Sequence, residues 1–313
     1  MIASYDLLTI GKATIDAFLL VTKTNKHFRI DKKTKELCIK YGDKATVDRV
    51  VFSMGGNAAN VSVGASRMGL KTGIAAEIGT DEFSQKIING LKKERVSEIL
   101  LQQKANADSS FSVIVNFKKE RTIFCEDVKR EHDFNFEGIS AKWIYLTSMG
   151  EKWKEAYKRS LFFAKSTGAK IAFNPGTPQI DSGEESIMQI LRETEALFVN
   201  KEEAGKISGL KTDEIEKLLL RLSKLGPETV IVTDGERGSF LYNKKEGFLK
   251  HGVKKQKVIE KTGAGDAYSS GFISAVIYGK NLKEAMHWGS LNAESVITKV
   301  GAQEGLLMRS QVE

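Results

Sequence analysis

Cysteine and proline are scarce in this 313-residue chain, which has only Cys38 and Cys125 and only Pro175, Pro178 and Pro227. Two cysteines far apart, without metal-ligand spacing, exclude a disulfide scaffold and a thiolate zinc site. They fit a reducing cytosol, with buried thiols expected. Internal repeats, low-complexity tracts and Pro/Ser-rich linkers are also missing, so the chain reads as one large α/β domain over residues 1–313. No apolar run reaches the eighteen residues that a membrane-spanning helix needs. The opening Met1-Ile2-Ala3-Ser4-Tyr5-Asp6 lacks the basic flank of a signal peptide, so the expectation is a cytoplasmic protein without a membrane partner.

Acidic charge is in deficit, with 40 Asp and Glu against 48 Lys and Arg, a net charge of +8. Much of the excess lies between Lys23 and Lys44, including Lys32, Lys33 and Lys35. A solvated strand face or attraction of a phosphorylated ligand both account for it. Nucleic acid ranks last, because no zinc finger, aromatic RNP-like motif or aromatic-interleaved basic repeat accompanies the charge.

The first segment, 5–11, reads as a buried strand ending in a glycine turn. Segments 17–23, 36–41 and 46–52 look like further strands, and 109–116 with 121–125 form a hairpin pattern around loop 117–120. Elsewhere strands and helices alternate. Helices are expected at 57–69, 82–94, 152–167, 184–193, 201–208, 213–225, 265–278 and 282–299; strands at 72–77, 143–147, 169–173, 196–199 and 228–233. This rhythm predicts a mostly parallel sheet covered by helices on both faces. The early strands break it and are assigned to a small β-lid, about 14–53 and 109–126, that excludes water from the site.

Four segments carry chemistry. Thr262-Gly263-Ala264-Gly265-Asp266 is a small-residue turn opening a helix, so several backbone N–H groups and the helix dipole converge on one spot. Asp266 beside them is either a proton acceptor for a substrate hydroxyl or an ordinary helix-capping aspartate. Asn200 and Glu203 follow the apolar run 196–199, at the strand edge where open sheets bind ligands. They share a helical face and either organise hydrated Mg²⁺ or cap the helix. Thr233-Asp234-Gly235-Glu236-Arg237-Gly238 reads as a tight turn between strands, compatible with nucleotide approach or with a plain hairpin. Gly55-Gly56-Asn57-Ala58-Ala59-Asn60 lets a flat polar ligand approach the main chain, and Asp16 can take two adjacent hydroxyls.

Together and in this order, the segments resemble the ribokinase-like (PfkB) family of sugar and nucleoside kinases, over nearly the whole chain. The resemblance implies a central mostly parallel sheet with helices on both faces, a β-lid that often forms a dimer contact, and transfer of the ATP γ-phosphate to an exocyclic sugar hydroxyl. It implies Asp266 as base, the N–H groups of Gly263, Ala264 and Gly265 as anion hole, and Asn200 and Glu203 organising Mg²⁺ through water. Thr233, Gly235, Gly238 and Asn292 match ATP-site positions; Asp16, Gly55, Gly56, Asn57 and Asn60, with the lid residue Arg121, match the acceptor side. Where many relatives have Asp-Thr-Thr, this chain has Glu260-Lys261-Thr262. That loop often binds a monovalent cation such as K⁺. Glu260 and Thr262 are its candidate ligands here, with the Lys261 ammonium as an alternative.

The acceptor stays open at this stage. A nucleoside would need a base pocket from Phe18, Phe28 or Phe111, and a sugar phosphate would use the basic lid. From a different class, a catalytically silent sugar or nucleotide sensor is the alternative, which the intact base and anion hole argue against.

Overall fold

In the computed structural model, residues 3–21, 26–117, 120–125 and 128–313 are described. Lys23 of the basic run, residues 118 and 119 of the expected hairpin loop, residue 126 at the expected lid boundary, and Met1 and Ile2 lie outside them. The chain opens with β1 (Ala3–Gly11), followed by β2 (Thr14–Val21), β3 (Phe28–Ile30), β4 (Leu37–Ile39) and β5 (Arg49–Gly55). Next come α1 (Asn57–Arg67), β6 (Thr72–Ile78), α2 (Glu82–Lys93), β7 (Ser97–Gln103), β8 (Phe111–Phe117) and β9 (Glu120–Cys125). The middle third holds β10 (Ile139–Thr147), α3 (Trp153–Thr167), β11 (Lys170–Asn174), α4 (Thr177–Asp181), α5 (Glu184–Glu193) and β12 (Thr194–Asn200). The rest is α6 (Lys201–Ser208), α7 (Ile215–Lys224), β13 (Thr229–Thr233), β14 (Ser239–Asn243), β15 (Gly247–His251), α8 (Ala264–Ile277) and α9 (Leu282–Val296).

Nine strands form the main sheet in the order β15-β14-β13-β12-β11-β10-β1-β6-β7. The seven from β13 to β7 run parallel, and β14 and β15 add an antiparallel edge. Their apolar runs are buried on both faces, as parallel strands require. Leu8, Ile10, Ile144 and Leu146 face the layer of α3, α5 and α7, whereas Leu7 and Tyr145 face α1, α8 and α9. The order in which strands are added reverses at β1, which is flanked by β10 on one side and β6 on the other. Crevices at the carboxyl ends of strands beside such a reversal are where open α/β sheets hold ligands.

A second sheet, β5-β2-β8-β9, stands apart. Side chains alternate across a strand, and the register aligns Asp16 with Ser53 and Ser112 on one face. Leu19, Val21, Val113, Val115 and Phe117 therefore share the other, outer face. There they pack with Phe28 and Leu37, and the Phe28 and Phe117 rings stack with centroids 6.0 Å apart. The strand at 37–39 thus pairs with Phe28–Ile30 in a separate hairpin and not with the four-stranded sheet. This hairpin carries Lys32, Lys33 and Lys35 in its exposed turn, on the side of the sheet away from Asp16. The solvated reading of the basic run fits this placement.

Strands β7 and β15 and the short α4 have no counterpart among the sequence expectations. The half-exposed β7 and β15 lie at the two sheet edges, where no continuous apolar run is needed. The expected burial of both thiols fails: Cys125 is exposed on β9 and Cys38 is half-buried, because neither strand is covered on both faces. Among the described residues no helix is long and apolar enough to cross a membrane.

Candidate active site

α8 starts where the chain can turn sharply. Gly263 has φ +78°, and a Cβ there would sit 2.4 Å from the Ala302 Cβ, so glycine is required. Gly263 N and Gly265 N make no hydrogen bond within the described residues, and Ala264 N makes only a long one, 3.3 Å, to Lys261 O. Donors of a helix N-terminus are thus left for an anion.

Asp266 sits in the first turn of α8 but does not cap it. Its Oδ2 accepts from Asn60 Nδ2 at 2.8 Å, and the Asn57 amide also favours its ionised form. Asn60 is oriented in turn by Gln303, whose Nε2 donates to Asn60 Oδ1 at 2.9 Å. Burial raises Asp266 to about 7, the two asparagines oppose the rise, and Glu203 and Asp16 add to it. α1 and α8 approach closely enough for this contact because Gly64 faces Ser270.

On the lid, Asp16 accepts from Thr14 Oγ1 at 3.1 Å, with Ser112 its register neighbour; burial raises it to about 6, with Glu260 contributing. A Cβ at Gly55 would lie 2.0 Å from Asp16 Oδ2, so the first glycine of the pair makes room for this carboxylate. Gly56, with φ +90°, lets the chain turn into α1 against the Lys12 carbonyl.

Asn200 and Thr233 are register partners at the carboxyl ends of β12 and β13. Asn200 Oδ1 accepts from Glu203 N at 2.9 Å while Glu203 Oε2 accepts from Asn200 N at 2.8 Å, a reciprocal capping box. The capping reading is therefore realised. It leaves Glu203 Oε1 uncommitted, on a carboxylate that burial raises above its ordinary range and close enough to Asp266 to affect it. A groove of about 760 Å³ runs from Asn200 and Lys201 along α6 to Asp234. The turn at Gly235 and Gly238 joins two antiparallel strands, and Gly238 passes against the His251 carbonyl.

Four expected residues are engaged elsewhere. Asn292 is fully buried: its Nδ2 donates to Ala267 O and Ser270 Oγ, and its Oδ1 accepts from Leu307 N. It ties α8 to α9 and the C-terminal segment and shows no free amide to a nucleotide. Glu260, 1% exposed, accepts from Thr262 N at 2.8 Å and Thr262 Oγ1 at 2.6 Å. Arg121 faces that carboxylate, its Nε 3.9 Å away, and Lys261 Nζ reaches across to Glu120 at 2.6 Å. Two adjacent charged residues on the lid thus pair crosswise with two on the loop before Gly263. Of the aromatic candidates for a base pocket, Phe28 stacks on Phe117 on the outer face, Phe111 stacks on Phe83 against the core beside α2, and only Phe18 shares the Asp16 face. Gln303 and Thr14, which orient the two buried carboxylate arrangements, carried no recognisable sequence signal.

The sequence profile of the pfkB family carbohydrate kinases matches residues 9–308. A nucleoside kinase of Methanocaldococcus jannaschii is 26% identical over 260 residues, 80% of this chain and 82% of its own length. A 5-dehydro-2-deoxygluconokinase of Halalkalibacterium halodurans is 22% identical over 99% of this chain and 93% of its own. The structure of Arabidopsis thaliana ribokinase complexed with ribose and ATP superimposes with a TM-score of 0.78 at 18% identity, covering 99% of this chain and 97% of that one.

Proposed function

We propose, from the premise that this chain belongs to the pfkB family of carbohydrate kinases, that it transfers the γ-phosphoryl group of ATP to an exocyclic hydroxyl of a sugar or sugar-containing acceptor, with Asp266 as base. The observation that carries this reading is the buried Asp266, lifted to about 7 and held by Asn60 beside the unbonded N–H groups of Gly263 and Gly265. A base with a pKa near the working pH combines a usable ionised fraction with proton affinity.

In this mechanism Asp16 and Asn57 orient the acceptor's hydroxyls, and Asp266 takes the proton as the hydroxyl oxygen bonds to the γ-phosphorus. The bond from that phosphorus to the ADP oxygen breaks, ADP leaves, and the N–H groups of the α8 start hold the phosphoryl oxygens. Positioning supplies much of the acceleration. Thr233, Gly235 and Gly238 back the nucleotide along the β12–β13 edge.

Glu203 and Asp16 raise the proton affinity of Asp266, and Glu260 raises that of Asp16, through like charge; such a gathering of carboxylates fits a divalent cation with its nucleotide. Among the described residues no three ligating side chains converge into a cage. Asn200 and Glu203 would therefore hold Mg²⁺ through water and phosphate oxygens, and the ion would neutralise charge on the phosphates. Glu260 is already faced by Arg121 and Lys261 is turned to Glu120, so this reading has turnover without added K⁺. For assembly, Phe52 and Phe124, 58% and 53% exposed on the lid's outer face, offer the contact of a homodimer, which sedimentation of a Phe52→Glu variant tests. The unpaired Cys38 and Cys125 suit a reducing cytoplasm.

The test is ADP release from ATP across ribose, fructose, sugar acids, sugar phosphates and nucleosides, with and without K⁺. Binding of ATP and sugar with no ADP release on any acceptor would overturn the kinase reading in favour of a sensor.

A further inference from the structure

Lys12 is the first residue past β1 and lies four positions before Asp16. Its carbonyl accepts from Ala59 N at 3.3 Å and abuts Gly56, so its backbone is pinned against the first turn of α1 among the acceptor residues. The side chain is half-buried, yet among the described residues no carboxylate comes within 4 Å of its ammonium. A half-buried charge without a partner is costly to keep.

The ammonium's field reaches His132, which is 2% exposed. Burial first, then Lys12 and Arg130, push this imidazole down to about 4, so it is neutral. Its Nε2 accepts from Gly150 N at 3.2 Å, which puts the ring proton on Nδ1. That Nδ1 is sealed from solvent and has no hydrogen-bond partner. Of the carboxylates nearby, Glu131 is exposed and paired with Lys152, and Glu77 is occupied: its Oε2 accepts from His132 N at 2.6 Å and lies 3.9 Å from Nδ1, and its Oε1 is approached by Lys104 at 4.0 Å. Gly150 follows β10 and Lys12 follows β1, adjacent strands of the sheet. Lys12 thus stands against the acceptor residues Gly56 and Ala59 without an anion of its own, whereas the lid and the start of α8 carry the carboxylates of Asp16 and Asp266.

We infer that the acceptor bears an anionic group at the end remote from the phosphorylated hydroxyl, a carboxylate or a phosphate, and that Lys12 binds it. Hydroxyls meet Asp16 on the lid and the anion meets Lys12 just past β1. The inference rests on the kinase reading for the place of the acceptor, and its test is chosen to separate the two.

The test is equilibrium binding, by calorimetry in the presence of a non-hydrolysable ATP analogue, of 5-dehydro-2-deoxygluconate and fructose 1-phosphate against fructose and inosine. At least one anionic ligand binds 10-fold or more tighter than both neutral ones. Lys12→Met lowers the anionic-to-neutral ratio about 10- to 100-fold, the scale of one charge-assisted hydrogen bond, and Lys12→Arg retains most of it. The two anionic arms tell carboxylate from phosphate. Equal or tighter binding of the neutral ligands, or a uniform loss across all four in Lys12→Met, overturns the inference. Turnover of neutral acceptors alone sinks it and leaves the kinase reading standing; anion selectivity without any turnover supports it and counts against the kinase reading.

Discussion

Asn60 donates its Nδ2 to Asp266 Oδ2 at 2.8 Å across 206 positions of sequence. The same amide is fixed from behind by Gln303, so it can meet the carboxylate only as a donor. A donor to a carboxylate favours its ionised form.

From this the pH profile follows. In the wild type kcat/KM rises with pH through about 7, as Asp266 loses its proton. Asn60→Leu removes the donor, raises the base's pKa further, and moves the rising limb to higher pH by about one unit, the size of a single hydrogen-bond contribution. A profile that keeps its midpoint would separate Asn60 from the base. Asp266→Asn should lower kcat by roughly 10²–10⁴-fold with ATP affinity retained, measured by single-turnover kinetics.

The two raised carboxylates also set a stability trend. Asp16 and Asp266 stand at about 6 and about 7 against an ordinary 3.8. Because the folded values are the higher ones, their contribution to stability is fully present below 3.8 and is lost as pH rises through 6 to 7. Each then costs on the order of 2–4 kcal/mol. Urea unfolding of the ligand-free protein should find Asp266→Asn more stable than wild type at pH 8, with the gap closing toward pH 5. Equal gaps at both pH values would contradict the assigned burial cost.

Two glycines should separate acceptor from phosphate. Gly55→Ala drives a methyl into Asp16 Oδ2, and steady-state kinetics should show a rise of about tenfold or more in acceptor KM with little change for ATP. Gly263→Ala meets Ala302 and a φ of +78°, so it should lower kcat with every acceptor. The opposite split would reverse the assignment of the two turns.

Crosswise pairing of Glu120 and Arg121 with Lys261 and Glu260 links the lid to the loop ahead of the anion hole. The Lys261–Glu120 pair is largely solvent-exposed and worth at most about 1 kcal/mol. Glu120→Lys and Lys261→Glu should each raise acceptor KM a few-fold, and the double swap should restore it. Arg121→Gln should cost more, because it strips the facing cation from the buried Glu260. Hydrogen exchange over β8 and β9 checks that the lid, and not the whole fold, has loosened.

The chain's local patterns determined a good deal. Apolar runs such as 196–199 and 228–233 place themselves in a parallel sheet because strands buried on both faces can expose no polar row. The turn at 262–266 needs small residues whatever surrounds it, so its helix start was legible, as were the ends of most elements and the family to which the ordered motifs belong. What only the tertiary structure decided is the direction each side chain faces and what it meets there. Capping and metal-organising readings of Asn200 and Glu203 share one pattern, and the fold satisfies the cap while leaving one carboxylate oxygen over. Asp266 could have capped α8, but α1 brings Asn60 to it instead. Asn292 was drawn into the packing of α8 against α9, Phe28 and Phe111 turned away from the Asp16 face, and Lys12 was set against Gly56 and Ala59 at the start of α1. Periodicity reports burial along one element; contacts between distant elements are set by packing, which no local pattern encodes.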